Sequence, residues 1–155
     1  MHYWLMKSEP DEFSIRDLEN RGAGRWDGVR NYQARNFIRQ MAAGDLFYFY
    51  HSSCATPGIA GIGRITRSAY PDPLALDPQS DYFDPKASDA NNPWSAVDIE
   101  FVERFGEVLS LPLLKADPRL SQLALVKKGS RLSVMPVDEQ QWQAVLNLRD
   151  ALLTG

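Results

Sequence analysis

Apolar positions along this chain fall in short blocks whose spacing switches between two residues and three or four, and glycine or proline closes most of them. Tyr3 to Lys7 reads as an opening strand, ended by Pro10. Ser14 with Asp17 forms a helix-start signature ahead of Ile15 and Leu18, and Gly22 and Gly24 stop that helix. Ala34, Phe37, Ile38 and Met41 recur at helical spacing, a core stripe that leaves Arg35 and Arg39 on another face. Gly44 and Asp45 turn the chain into Leu46 to His51, aromatic enough for a strand buried on both faces. A further strand runs from Ile59 to Ile65, where Gly58, Gly61 and Gly63 serve tight strand packing. Residues 71 to 94 are rich in Pro, Asp and Asn and predict a long ordered excursion, a kind of loop that often acts as a lid. Val97 to Phe105 alternates with the period of a half-buried strand. Leu111 to Leu125, punctuated by Pro112 and Pro118, predicts two short helices, Arg131 to Met135 a last strand, and Pro136 to Leu148 a closing helix. Strands outnumber helices and have short links. The pattern predicts an α+β fold, a mixed, strongly bent sheet or small barrel with helices packed around it.

Length and composition narrow the class. A chain of 155 residues reads as one domain over 1–155 and is long enough to bury a core without metals or disulfides. Cys54 is the only cysteine, which excludes an intramolecular disulfide and every zinc site built on paired cysteines. No run approaches the roughly 20 apolar residues of a membrane span, and the N-terminal apolar run is too short for a signal peptide. A soluble protein of a reducing compartment is expected: cytoplasmic, or nuclear in a eukaryote. No cofactor and no metal is expected.

The net charge of −3 argues against a protein that coats nucleic acid by electrostatics alone. Distribution qualifies that. Arg25, Arg30, Arg35 and Arg39 stand near one acid, Asp27, while Lys127, Lys128 and Arg131 stand near none. Either these are solvated faces, or they converge in space as a phosphate track.

Two stretches carry the chemistry, Met6 to Pro10 and Trp26 to Asn36. Together they bring a large ring, a carboxamide, a hydroxyl and several cations into one region, the set that holds a planar polar heterocycle. Trp26, at an apparent loop-to-helix transition, offers a ring that stacks on a base for about 1–3 kcal/mol, or else is core. Asn31 carries a donor and an acceptor for the edge of an extruded base, or else caps a helix, two roles that look mutually exclusive. Lys7 alternates with Met6 and Ser8 along the strand, so these residues share one wall only if the strand ends there. His51, Ser52 and Ser53 end the aromatic strand with hydrogen-bonding groups, and Arg131 and Ser133 point the same way if the last strand is regular. Enzyme signatures are weak. His51 and Ser52 face apart on a strand, no Gly-x-Ser-x-Gly elbow is present, and two histidines without paired cysteines exclude the zinc deaminase pattern. Lys7, Glu9 and His51 near one pocket would leave amide hydrolysis open.

Lys7-Ser8-Glu9-Pro10, Trp26 to Asn36, Gly44-Asp45, Tyr50-His51-Ser52 and Ser133 to Val137 resemble, in order, the motifs of the EVE domain family. That family belongs to the PUA-like superfamily, a pseudo-barrel of mixed strands with flanking helices, and is similar to the YTH domain that cages a methylated adenine. The resemblance implies a non-catalytic module that reads a modified base, most often modified cytosine in DNA. The alternatives are an RNA-binding module for a modified base or, third, a hydrolase acting on a modified nucleoside. It also implies that Lys7 and Ser8 sit at a pocket rim, that Val29, Arg30 and Tyr32 of the long motif belong to the ligand set, and that a second aromatic wall exists. Tyr82, Phe83 and Trp94 are the candidates for that wall. A reader this small and acidic is expected to supply recognition to an effector partner.

Overall fold

The computed structural model describes residues 1–154. Among these, six strands form one open mixed sheet: β1 (Tyr3–Ser8), β2 (Ala23–Trp26), β3 (Leu46–His51), β4 (Gly58–Pro71), β5 (Ser95–Ser110) and β6 (Val134–Val137), in the order β2-β5-β4-β3-β1-β6. The pair β1 and β3 is parallel and all other pairs are antiparallel. Four helices flank the sheet: α1 (Ile15–Arg21), α2 (Tyr32–Ile38), α3 (Leu111–Ala116) and α4 (Glu139–Thr154). The expected mixed sheet with packed helices is therefore present, with β2 and β6 as free edges.

Alternation along β3 divides the interior in two. Phe47 and Phe49 join a cluster with Trp4, Met6, Trp26 and α2, while Tyr48 and Tyr50 join another with Leu5, Leu114 and α4. The strand is buried on both faces, as its aromatic run predicts. Tyr48 stacks on Trp142 with centroids 3.8 Å apart and donates its hydroxyl to the Trp142 carbonyl at 2.7 Å, which fixes α4 against the sheet. At Gly61 a Cβ would lie 2.3 Å from the Glu103 carbonyl oxygen, and at Gly63 2.4 Å from the Phe47 ring, so both positions require glycine for close packing.

Several boundaries differ from the expected ones. Gly22 caps α1 at φ +79°, as expected of a stop signal, but Gly24 lies inside β2, a strand too short and polar for the alternation rule to find. Met41 is buried beyond the end of α2. Strands β4 and β5 run past their expected limits because they pair with each other through several bulges. Only α3 forms as a helix between 111 and 125, followed by two 3₁₀ turns. Arg131 and Ser133 precede β6, so the strand alternation inferred for them does not apply. Pro136 lies within β6, where an edge strand tolerates its missing N–H, and α4 begins at Glu139. Among the described residues no helix is long and apolar enough to cross a membrane.

Candidate nucleic-acid interface

The C-terminal ends of β1 and β2 reach the same side of the molecule, and the turn from Asp27 to Asn31 folds beside them. They enclose a cleft of about 740 Å³. Its walls hold Lys7, Ser8, Trp26, Val29, Arg30, Asn31, Ser52, Tyr82, Arg131 and Ser133, so one site gathers residues from five separate stretches of chain. Volumes of about 300–1,000 Å³ are typical of small-molecule sites.

Trp26 closes β2 rather than opening a helix, and it is only 5% exposed. Phe13, Phe47 and Phe49 pack around it at centroid distances of 6.1, 5.7 and 5.2 Å, all edge to face. Trp26 is therefore a core residue whose small exposed part also lines the cleft. Its indole N–H has no hydrogen-bond partner among the described residues, yet no buried side-chain nitrogen or oxygen there is left unpartnered. The N–H must then open to the cleft that Trp26 lines.

Asn31 caps α2, its Oδ1 accepting the Ala34 amide at 2.9 Å. This cap and a contact in the cleft do not exclude one another, contrary to the expectation. The side chain is exposed, lines the cleft, and keeps its amide N–H groups without a partner among the described residues. Strand β1 ends at Ser8, which lets Lys7 and Ser8 line one wall while Met6 stays fully buried. Ser8 donates its hydroxyl to the Phe13 carbonyl at 2.8 Å and tethers the turn that bears Glu9 and Glu12. The Lys7 amide donates to the Ser133 carbonyl at 2.8 Å, bringing Arg131 and Ser133 to the rim. Burial lowers the Lys7 ammonium below its ordinary pKa.

Other expected site residues lie elsewhere. Tyr32 is exposed and stacks on Trp94 at 4.8 Å, and neither ring lines the cleft. His51 Nε2 accepts the Ile15 amide at 3.1 Å, satisfying one of the orphan donors at the start of α1. Burial pulls the His51 pKa down, which favours the neutral ring this bond needs. Ser53, at φ +53°, turns the chain away. Lys7 and Glu9 line the cleft without His51, so the trio required for assisted amide hydrolysis is not assembled. Among the described residues no three His, Cys, Asp or Glu side chains gather as metal ligands would.

Of the possible second-wall aromatics, Tyr82 alone reaches the cleft. Asp72, which the sequence reading missed, holds its loop in place. This fully buried carboxylate accepts the Gly28 amide, Arg30 Nη1 and the Leu74 amide at 2.8–2.9 Å. Arg30 also donates from Nε and Nη2 to the Tyr82 carbonyl. Gly28, at φ +74°, is required here, since a Cβ would meet the Tyr82 ring at 2.9 Å. The Tyr82 hydroxyl donates to both Glu12 carboxylate oxygens at 3.0 Å, and burial together with that acceptor pushes its pKa up to about 12. The excursion expected as a lid is pinned down. Only the Asp-Pro pair at 72–73, a capping signal, marks Asp72 in the sequence.

A model of the EVE domain matches residues 2–148. The chain belongs to the EVE domain family. This EVE domain is 38% identical to human thymocyte nuclear protein 1 over a 167-residue alignment, covering 96% of this chain and 74% of that protein. The human protein has been solved in complex with 5-methylcytosine-containing DNA, and the two folds superpose with a TM-score of 0.91 over 96% of this chain and 98% of that chain. A crystal structure from Pseudomonas syringae is 67% identical with a TM-score of 0.94, over 95% of this chain and 99% of that one. The Mmi1 YTH domain matches at a TM-score of 0.57 and 12% identity, over 99% of this chain and 91% of that chain, a likeness of fold. That is the YTH-like fold the motifs implied.

Proposed function

We propose that this EVE domain is a non-catalytic reader that receives one modified cytosine of DNA, flipped out of its strand, in the cleft at Trp26. The observation that carries the reading is the pair of unpartnered donors there, the Trp26 indole N–H and the Asn31 amide. Cytosine presents acceptors at O2 and N3 and a donor at its exocyclic amine. The two donors suit the acceptors, and Asp27, which lines the same cleft, suits the amine. Both donors are fixed before ligand arrives, Trp26 by its aromatic neighbours and Asn31 by its cap, so little ordering opposes binding. DNA is favoured over RNA because the 38% identical human relative holds 5-methylcytosine-containing DNA. A methyl group contributes only about 0.8 kcal/mol on burial, so discrimination of a few fold is expected from the methyl alone.

Matched oligonucleotides with cytosine or 5-methylcytosine, titrated against wild type, Trp26→Phe and Asn31→Ser, test this. Phenylalanine keeps the ring packing and removes the N–H, while serine keeps the cap and removes the amide. Each variant should stay folded and weaken modified DNA by on the order of tenfold, the scale of one buried hydrogen bond. Wild-type affinity and preference in both would place the base elsewhere.

A further inference from the structure

The arginines of residues 25–39 do not form the phosphate track that their clustering allowed. Arg25 pairs with Asp27, Arg30 with Asp72, and Arg35 and Arg39 both donate to the Pro93 carbonyl. Arg25 is matched by Asp27, and the other three are turned toward the loop. Among the described residues the seven ion pairs draw on six arginines, and no lysine enters one.

The lysines gather instead on the other side of the 127–133 segment. A second cleft, of about 480 Å³, is lined by Lys7, Lys115, Lys127 and Lys128, four of the five lysines in the chain, and by no acid. Lys7 also lines the base cleft, so the two are continuous across one side chain. Arg131, without an acidic partner among the described residues, lines the base cleft and the shallow groove that shares Lys127 with this second cleft. Tyr50, the register partner of Lys7, forms part of the floor. Tyr50 is 3% exposed and its hydroxyl has no partner among the described residues, so by the argument made for Trp26 it opens to the cleft. Burial pushes that hydroxyl up to about 12, and it remains a donor at neutral pH.

We infer that this lysine cleft holds the phosphodiester backbone of the DNA strand next to the flipped base, an inference that rests on the base-reading role of the adjoining cleft. Ammonium groups are point charges that suit phosphates without demanding planar geometry. An acid-free patch on a protein of net charge −3 also favours an anion at this face. The walls carry no unpartnered carboxylate that would instead select a cation.

The test uses a Lys115→Gln, Lys127→Gln, Lys128→Gln variant, all three side chains being exposed, with Lys7 and Arg131 left intact because they also line the base cleft. Binding is measured across a salt series for a 5-methylcytosine oligonucleotide, the same oligonucleotide with neutral methylphosphonate linkages flanking the modified base, free 5-methyldeoxycytidine, and inorganic phosphate. The slope of log affinity against log salt should flatten by about 2–3 in the variant, with on the order of tenfold weaker binding near 0.1 M salt. Nucleoside binding should be unchanged, and the neutral linkages should weaken wild type more than the variant, which keeps Lys7 of this cleft. A variant with wild-type slope and affinity overturns the inference. So does inorganic phosphate binding that the variant loses while it keeps oligonucleotide binding, which would make the cleft a site for small anions. If wild type ignores the methyl group yet the variant loses salt-dependent binding, the base reading falls and the phosphate cleft stands.

Discussion

Trp26 is both a core residue and part of the cleft lining. Trp26→Ala would remove a ring packed on three phenylalanines, and large-to-small changes of this kind cost about 3–5 kcal/mol. Lost binding in that variant would report unfolding as much as recognition, which is why phenylalanine is the informative replacement. His51 belongs at the same scale. Its neutral ring accepts the Ile15 amide, and its pKa in the folded protein is depressed below the ordinary value of about 6.5. As pH falls through about 6.5 the unfolded chain takes up a proton that the folded chain refuses, so stability present above that pH is lost progressively down to the folded-state pKa. Thermal melts between pH 7.5 and 5 should show this loss, and His51→Gln, which keeps an acceptor that does not titrate, should shrink it. An unchanged slope in His51→Gln would assign the pH dependence to other groups.

At the scale of elements, the 72–94 loop is built as a fixed wall. Asp72 ties it to Gly28 and Arg30, Arg30 reaches on to Tyr82, and Trp94 Nε1 donates to Asp84 at 2.8 Å. Asp72→Ala would leave Arg30, partly shielded from water, without its carboxylate. A loss of about 3 kcal/mol in denaturant unfolding is expected, with new proteolytic cuts between residues 77 and 91. Unaltered stability and cleavage would mean that the loop is held by its other ties, among them the bonds from Arg30, Arg35 and Arg39 to its carbonyls. Elements of this kind mark the limit of what the sequence disclosed. Strand β3, α1 with its capping box and the glycines of β4 were legible because local pattern and tertiary packing agree there. The strand status of Trp26, the start of β6 and the role of Asp72 were not, because each is set by a partner distant in the chain: Val97 for Trp26, Met6 for Val134, and Gly28 with Arg30 for Asp72.

Across the whole molecule, charge is sorted by residue type. Arginines make the ion pairs that hold loops, strands and helices together, and unpaired lysines collect beside the cleft that Trp26 lines. The two clefts meet at Lys7, at the end of the strand where the first motif lies. Entry of the modified base into the cleft at Trp26 is decided by proximity. An oligonucleotide carrying 5-methylcytosine with a ¹³C-labelled methyl group would be bound to the protein and its intermolecular NOEs recorded. A base held in the cleft should give NOEs from that methyl to protons of cleft-lining residues, Trp26 and Val29 among them, and lose those to the neighbouring bases. A methyl group that keeps its contacts to stacked neighbours and shows none to the cleft would contradict that placement.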